Sequence, residues 1–237
     1  VRIPITLLPA EWTLSGYRMV LDPNRANIAQ GYVNSLLVTG VTVVCVLFTS
    51  SLGGYVFGRL EFPGRKYLFY FILATSMVPF ITLLIPLYIE MKYLGLLDSF
   101  GALWLPSLFS SFGIFLCRQF IYGIPRDYYE SAKIDGASDL SIYFNIILPL
   151  VRPVLSVLTI FTFLGSFNSF LWPLVVLNTE SKLTLPLLLR RMADRFGGTD
   201  YQGVMAGSVL VCIPPLVVFF IFRRYIVRGI ALTGVKA

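Results

Sequence analysis

Residues 32–57 read YVNSLLVTGVTVVCVLFTSSLGGYVF, a run without a single Asp, Glu, Lys or Arg. An α-helix rises about 1.5 Å per residue, so this run is long enough to cross the roughly 30 Å hydrocarbon core of a bilayer. Four more uncharged runs follow, at 67–89, 99–117, 153–178 and 203–222. Composition agrees: 57% of the residues are apolar and 13% charged, about half the charge of a soluble domain. The mean hydropathy is +0.79. The 237 residues are therefore read as five membrane spans, and the expected fold is an all-α, polytopic transmembrane helical bundle. Pro79, Pro86, Pro106, Pro173 and the Pro214–Pro215 pair interrupt these runs. Each removes a backbone donor and kinks its helix, leaving carbonyls for a neighbour or a cavity to satisfy. Gly54 and Gly58, four apart, offer a surface that a second helix can approach closely.

Five spans put the chain ends on opposite sides. One side holds Arg59, Arg65, Lys66, Arg118, Arg126, Lys133, Arg152, Arg223, Arg224, Arg228 and Lys236. The other holds Arg2, Arg18, Arg25, Lys92, Lys182, Arg190, Arg191 and Arg195. The basic excess favours a cytoplasmic C-terminus. The expected organisation is an external segment 1–31, a transmembrane domain 32–226 containing a cytoplasmic loop 124–150, and a cytoplasmic tail 227–237. The chain opens on Val1, and no signal-peptide core precedes the first span. The net charge of +7 is spread over loops, with no basic, aromatic-interleaved patch for nucleic acid. With no histidine, and with Cys45, Cys117 and Cys212 at no ligand spacing, no metal or nucleophile site is expected.

The connector after Cys117 carries the chemistry: IPRDYYESAKIDGASDLSIYFNIILP, from Ile124 to Pro149. Pro125 suits a first helical turn, and Asp127 and Glu130 favour the positive end of the helix dipole. Asp135 and Gly136 make a turn, and Ser138 caps a second helix. Leu140, Tyr143, Phe144 and Ile147 then recur at helical spacing, up to the stop at Pro149. The segment reads as a helix–turn–helix outside the lipid. A plain interfacial anchor would favour Lys and Arg on its polar face; this one carries acids and small residues at its bend.

Glu130-Ser131-Ala132, two residues, Asp135-Gly136, nine residues, Ile146, one residue, Leu148-Pro149 resembles the loop signature of binding-protein-dependent ABC importer permeases: E-A-A, two, D-G, nine, I, one, L-P. Ser131 for the first Ala is the one departure. Asn34-Ser35-Leu36, Tyr55 to Arg59, Phe62-Pro63-Gly64-Arg65, Met77-Val78-Pro79, Ile85-Pro86-Leu87-Tyr88, Phe167-Asn168, Leu185-Pro186-Leu187 and Gly229 to Lys236 resemble the carbohydrate branch. Within it they are similar to the second permease of a maltose-type system. The resemblance implies six spans, so the first span is expected to be missing from this chain. It also implies a homologous sister permease, two ATP-binding-cassette ATPase subunits and an extracytoplasmic solute-binding protein, all at the bacterial inner membrane. ATP and Mg would then sit on the ATPase, since this chain has no phosphate-binding G-x-x-x-x-G-K-[ST] loop. Glu130, Ser131, Ala132, Asp135, Gly136, Ala137, Ile146, Leu148 and Pro149 are the expected coupling residues, with Glu130, Ala132, Asp135 and Gly136 in the ATPase groove.

Two other classes compete. A secondary transporter or channel usually needs ionisable groups within the bilayer, and the spans have none. A membrane-embedded enzyme lacks any acid–base pair here. For the pathway, Phe163, Phe167, Asn168 and Trp172 of the fourth run are the candidates, because aromatic faces beside an amide suit a sugar. Core packing is the competing explanation for aromatics at helical spacing.

Overall fold

The structure, a computed structural model, describes residues 13–22, 27–195 and 201–234. Among them every regular element is helical. The expected external segment 1–31 is described only in part, and the tail 227–237 only as the backbone end of the last helix; the rest of both lies outside the described residues.

A short helix α1 (Ser15–Val20) precedes α2 (Ile28–Arg59), the 32-residue spine of the molecule. The Asn27 side chain caps α2 by accepting from the Gln30 N–H at 3.1 Å. Helices α3 (Arg65–Thr75) and α4 (Phe80–Tyr93) follow, then α5 (Phe100–Trp104), extended by a 3₁₀ turn (Leu105–Ser107), and α6 (Ser111–Tyr122). A hairpin of α7 (Asp127–Ile134) and α8 (Asp139–Leu150) leads to α9 (Arg152–Phe167). The chain closes with α10 (Leu171–Val176), α11 (Leu185–Arg195) and α12 (Tyr201–Gly234).

Three of the five expected spans are broken. The run 67–89 is α3 and α4, bent by 96°, because Pro79 stands extended at ψ 134° in front of α4 and has no N–H to continue α3. The run 99–117 bends by 40° between α5 and α6, where the Ser110 side chain caps α6 through the Gly113 N–H at 3.0 Å. The run 153–178 stops at Phe167 and restarts at Leu171; Asn168 and Ser169 close α9 through N–H donation to Leu164 and Ser166. Among the described residues only α2 and α12 are long and apolar enough to cross alone; five crossings are reached by counting α3 with α4, α5 with α6, and α8 with α9 across a 75° bend as one span each.

Packing centres on α2. A Cβ on Gly54 would lie 2.5 Å from Cys117 Cβ and 2.9 Å from the Arg118 nitrogen, and one on Gly58 would lie 3.1 Å from Ile121 Cγ2. The two glycines let the backbone of α6 come close enough to touch. Arg59 ties the same ends by donating to the Ile121 carbonyl at 2.7 Å and to the Ile124 carbonyl. Outward faces stay apolar: Val44, Phe71, Met77, Ile85 and Phe220 are exposed, as a lipid-facing or subunit-facing surface requires.

Candidate coupling hairpin and membrane cavity

The α7–α8 bend is built from backbone rules. Gly136 sits at φ +81°, a left-handed conformation that costs a residue with a Cβ about 1–2 kcal/mol. Its N–H donates to the Lys133 carbonyl at 3.0 Å, and the Ala137 N–H to the Ala132 carbonyl at 2.9 Å. This pair of bonds is a Schellman motif, and Ala132 and Ala137 both pack in the cluster beneath it. Ser138 then starts α8 by accepting from the Ser141 N–H at 3.2 Å. Pro125 stands one residue ahead of the α7 cap, Arg126, and so lies outside the first turn; Asp127 and Glu130 occupy that turn.

The faces differ from the sequence expectation in two places. Ala132 is 8% exposed and packs inward among Ile142, Tyr143 and Ile147, so its small size serves the hairpin's own packing and it presents nothing to a groove. Of the expected apolar face, Tyr143 and Ile147 are buried, joined by Ile142, while Leu140 and Phe144 point outward. The cause is a π-helical turn at Tyr143–Ile147, which changes the angular step and rotates the stripe. Ile146 and Leu148 are partly buried in the same cluster and Pro149 is half-buried. Glu130, Ser131, Asp135, Gly136 and Ile134 remain exposed at the tip, Ile134 at 87%.

One acid missed at the sequence level joins the hairpin to the spine. Asp139 accepts from Tyr129 Oη at 2.9 Å and pairs with Lys133 Nζ at 2.9 Å. Tyr55 of α2 donates to its backbone carbonyl at 3.2 Å. Lys133, then Tyr129, holds the Asp139 carboxyl below its ordinary pKa. Tyr143 meets Ser51 Oγ at 2.8 Å and lies 5.6 Å from the Tyr55 ring. Beside this joint a cleft of about 620 Å³ opens between the α2–α3 connector and the hairpin, lined by Arg59, Glu61, Arg126, Tyr129, Glu130 and Asp139 among others.

The model of the family described as binding-protein-dependent transport system inner membrane component matches residues 50–232. The chain belongs to this family. It is thus the transmembrane permease subunit of an importer. It is 37% identical over 203 residues to the arabinooligosaccharides transport system permease protein AraQ of Halalkalibacterium halodurans, covering 86% of this chain and 72% of the relative. Against the lactose transport system permease protein LacG of Rhizobium radiobacter the identity is 35% over 196 residues, with 83% and 71% covered. Among solved structures it resembles a chain of a bacterial ABC transporter involved in the import of the acidic polysaccharide alginate, with TM-score 0.80 and 26% identity over 92% of this chain and 81% of that one.

The permease also carries an open cavity of about 340 Å³ between α2, α5, α6, α9 and α10. Hydroxyls of Thr42, Ser107, Ser110, Thr162, Ser166, Ser169 and Thr184 line it, with Phe109, Phe112, Phe161 and Trp172. Of the four pathway candidates only Trp172 reaches this wall, and its Nε1 already donates to the Ala102 carbonyl at 2.9 Å. Phe167 is 1% exposed in the core, stacked on Phe163 at 5.4 Å. Asn168 is exposed behind the end of α9 and away from the cavity lining. The signal that would have found the cavity is Thr162 and Ser166, spaced i, i+4 on one face of α9.

Asn34 and Ser35 gain a physical role. Asn34 Nδ2 donates to the carbonyls of Ser181 and Leu183 at 2.8 and 2.9 Å, and Ser35 Oγ accepts from the Leu185 N–H at 2.7 Å. Asp98, held at φ +55°, accepts from the N–H groups of Asn178 and Thr179 at 2.9 Å each and from Thr179 Oγ1 at 2.5 Å. These bonds, with Lys182 nearby, push its carboxyl well below the usual range. Together they fasten the 178–185 segment to the rest of the bundle.

Proposed function

We propose that this permease subunit serves an ATP-driven importer of sugars or oligosaccharides, and that the α7–α8 hairpin receives the ATPase. The observation that carries this reading is the hairpin itself. Its inner face is fixed to α2 through Asp139 and Tyr143, and Arg59 of α2 holds the chain ahead of it at Ile121 and Ile124. Its tip offers Glu130, Ile134, Asp135 and Gly136 to a partner. A side chain as apolar as Ile134 standing free in water stabilises nothing; covered by a partner it contributes roughly 1.5–3 kcal/mol. Carboxylates at the same tip suit backbone N–H groups or a basic side chain opposite.

The spine supplies the mechanics. Helix α2 is about 48 Å long by its 32 residues. One end meets the hairpin and the other holds the 181–185 segment through Asn34 and Ser35. A hairpin displaced by ATPase closure would tilt α2 as a rigid rod and shift the far segment with it. ATP and Mg belong to the ATPase subunits, and a homologous sister permease and an external solute-binding protein complete the assembly. The hairpin and the C-terminus face the cytoplasm in this scheme, in accord with the basic residues of the connectors. Sugar transport is the cargo class of the relatives named above, and the uncharged spans favour a driving force that enters through a loop.

The test is uptake by proteoliposomes holding the importer assembled from its co-encoded subunits. The expected result is uptake that needs both ATP and the solute-binding protein. Uptake that continues without ATP and collapses with the proton gradient would refute it in favour of a secondary transporter.

A further inference from the structure

The cavity described above lies halfway along α2, where Val38, Thr42 and Val46 form one wall. For a helix that crosses the bilayer along its length, that position is mid-depth. No residue of its lining is charged. Its volume of about 340 Å³ falls within the range of roughly 300–1,000 Å³ in which small-molecule sites are found. Hydroxyls and aromatic rings both line this space, and Phe112 and Phe161, in edge-to-face contact at 6.3 Å, are half exposed at its border.

One lining group has no internal explanation. Thr184 is 5% exposed, yet its Oγ1 has no hydrogen-bond partner. A buried hydroxyl left unpaired is costly, and native proteins keep few of them. Its backbone is held on both sides: the carbonyl of Leu183 by Asn34 and the N–H of Leu185 by Ser35. The chain therefore fixes Thr184 in place and leaves its donor unspent against the cavity. Three other wall hydroxyls are bonded within the fold, Ser166 by donating to Thr39 Oγ1 at 3.3 Å. Ser107 donates to the Leu103 carbonyl and Ser110 accepts from the Gly113 N–H. A hydroxyl has two acceptor sites and one donor, so both keep capacity for a ligand's O–H groups.

We propose that this chain itself holds one uncharged sugar unit in this cavity during transport, with Thr184 Oγ1 as a hydrogen-bond donor to it. Neutral hydroxyls with both donor and acceptor capacity match sugar hydroxyls, and the rings offer apolar faces to a pyranose or furanose. A phosphate or carboxylate would meet no cation here, and burying an unpaired anion is heavily penalised. The cavity thus separates neutral saccharides from acidic ones such as alginate or a glycerol phosphate. This inference rests on the importer reading and narrows its cargo.

The assembled importer in proteoliposomes tests it, with lactose, arabinotriose and sn-glycerol 3-phosphate as probes. Thr184→Val keeps the shape and deletes the hydroxyl; Thr184→Ser restores it. Gly165 also lines the cavity, and a Cβ there meets nothing within 4 Å, so Gly165→Leu fills the space while favouring the helix. Co-purification of all subunits and an unlowered unfolding temperature establish that the variants fold. The expected result is ATP-dependent uptake of a neutral probe, raised in half-saturation concentration about 3- to 10-fold by Thr184→Val. Thr184→Ser should stay near wild type, and Gly165→Leu should lose uptake. ATP-dependent uptake unchanged in both Thr184→Val and Gly165→Leu overturns the subsite and leaves the importer reading standing. ATP-dependent uptake of sn-glycerol 3-phosphate alone overturns it equally. ATP-independent uptake by the wild type overturns the importer reading instead, and the subsite with it.

Discussion

Replacing Gly136 by Ala isolates one term in the hairpin's construction. The residue sits at φ +81°, and an ideal Cβ there meets nothing within 4 Å. No clash adds to the cost, so the penalty is the conformational one, about 1–2 kcal/mol. It falls on the Schellman bonds from the N–H groups of residue 136 and Ala137 to the carbonyls of Lys133 and Ala132. Local opening of that turn should become about 5- to 30-fold more frequent. Hydrogen exchange at these two amides, followed in the nucleotide-free importer, reads this directly. Gly136→Asn is the control, because Asn tolerates the left-handed region better than other side chains and should accelerate exchange less than Ala. Equal exchange in wild type, Ala and Asn variants would refute the claim that the left-handed turn holds the tip.

Three further outcomes follow from the same geometry. Gly54→Ala would push its Cβ to 2.5 Å from Cys117 Cβ, and overpacking of this kind costs about 1–3 kcal/mol; thermal unfolding should show it, and an unchanged midpoint would mean that α2 and α6 are not in contact. Tyr129→Phe removes one hydroxyl from Asp139, a bond to a charged acceptor on a partly exposed site. We expect a loss of about 1 kcal/mol, seen as faster proteolysis within 127–147. Asp98 has a folded pKa below its ordinary value of about 3.9. Its contribution to stability is therefore complete above that value and is lost as the pH falls through the folded pKa. Unfolding measured against pH should weaken below about pH 4 in the wild type, less so in Asp98→Asn, and identical acid limbs would remove Asp98 from the account.

Much of the hairpin was legible because each feature has a local cause. Asp135-Gly136 needs a left-handed turn, Ser138 needs N–H groups to cap, and the long spacing to Leu148-Pro149 holds them in order. The spans were legible as uncharged runs, since lipid tolerates little else. Their breaks were less so: Pro79 announces a kink but not a bend of 96°, and Asn168 resembled a pathway amide when it stands at the end of α9. Ala132 could not be assigned a face from its size alone, and a single π turn exchanged Leu140 and Phe144 for Ile142. The cavity was hidden because its wall gathers hydroxyls from segments far apart in sequence, Thr42 and Thr184 among them. The aromatic residues of one run drew the pathway assignment, while the polar groups that line the space were scattered.

One substitution probes the role of the hairpin most directly. Ile134 is 87% exposed and lies at the hairpin tip, so Ile134→Asp changes the surface offered to the ATPase without disturbing the buried side of the hairpin. The measurement is ATP hydrolysis by the reconstituted importer in response to the loaded solute-binding protein, with co-purification of the ATPase alongside. We predict that stimulation falls at least about tenfold and that ATPase is lost from the purified complex, while the two permeases still associate. Wild-type stimulation together with full ATPase retention would contradict the assignment of this hairpin as the coupling element.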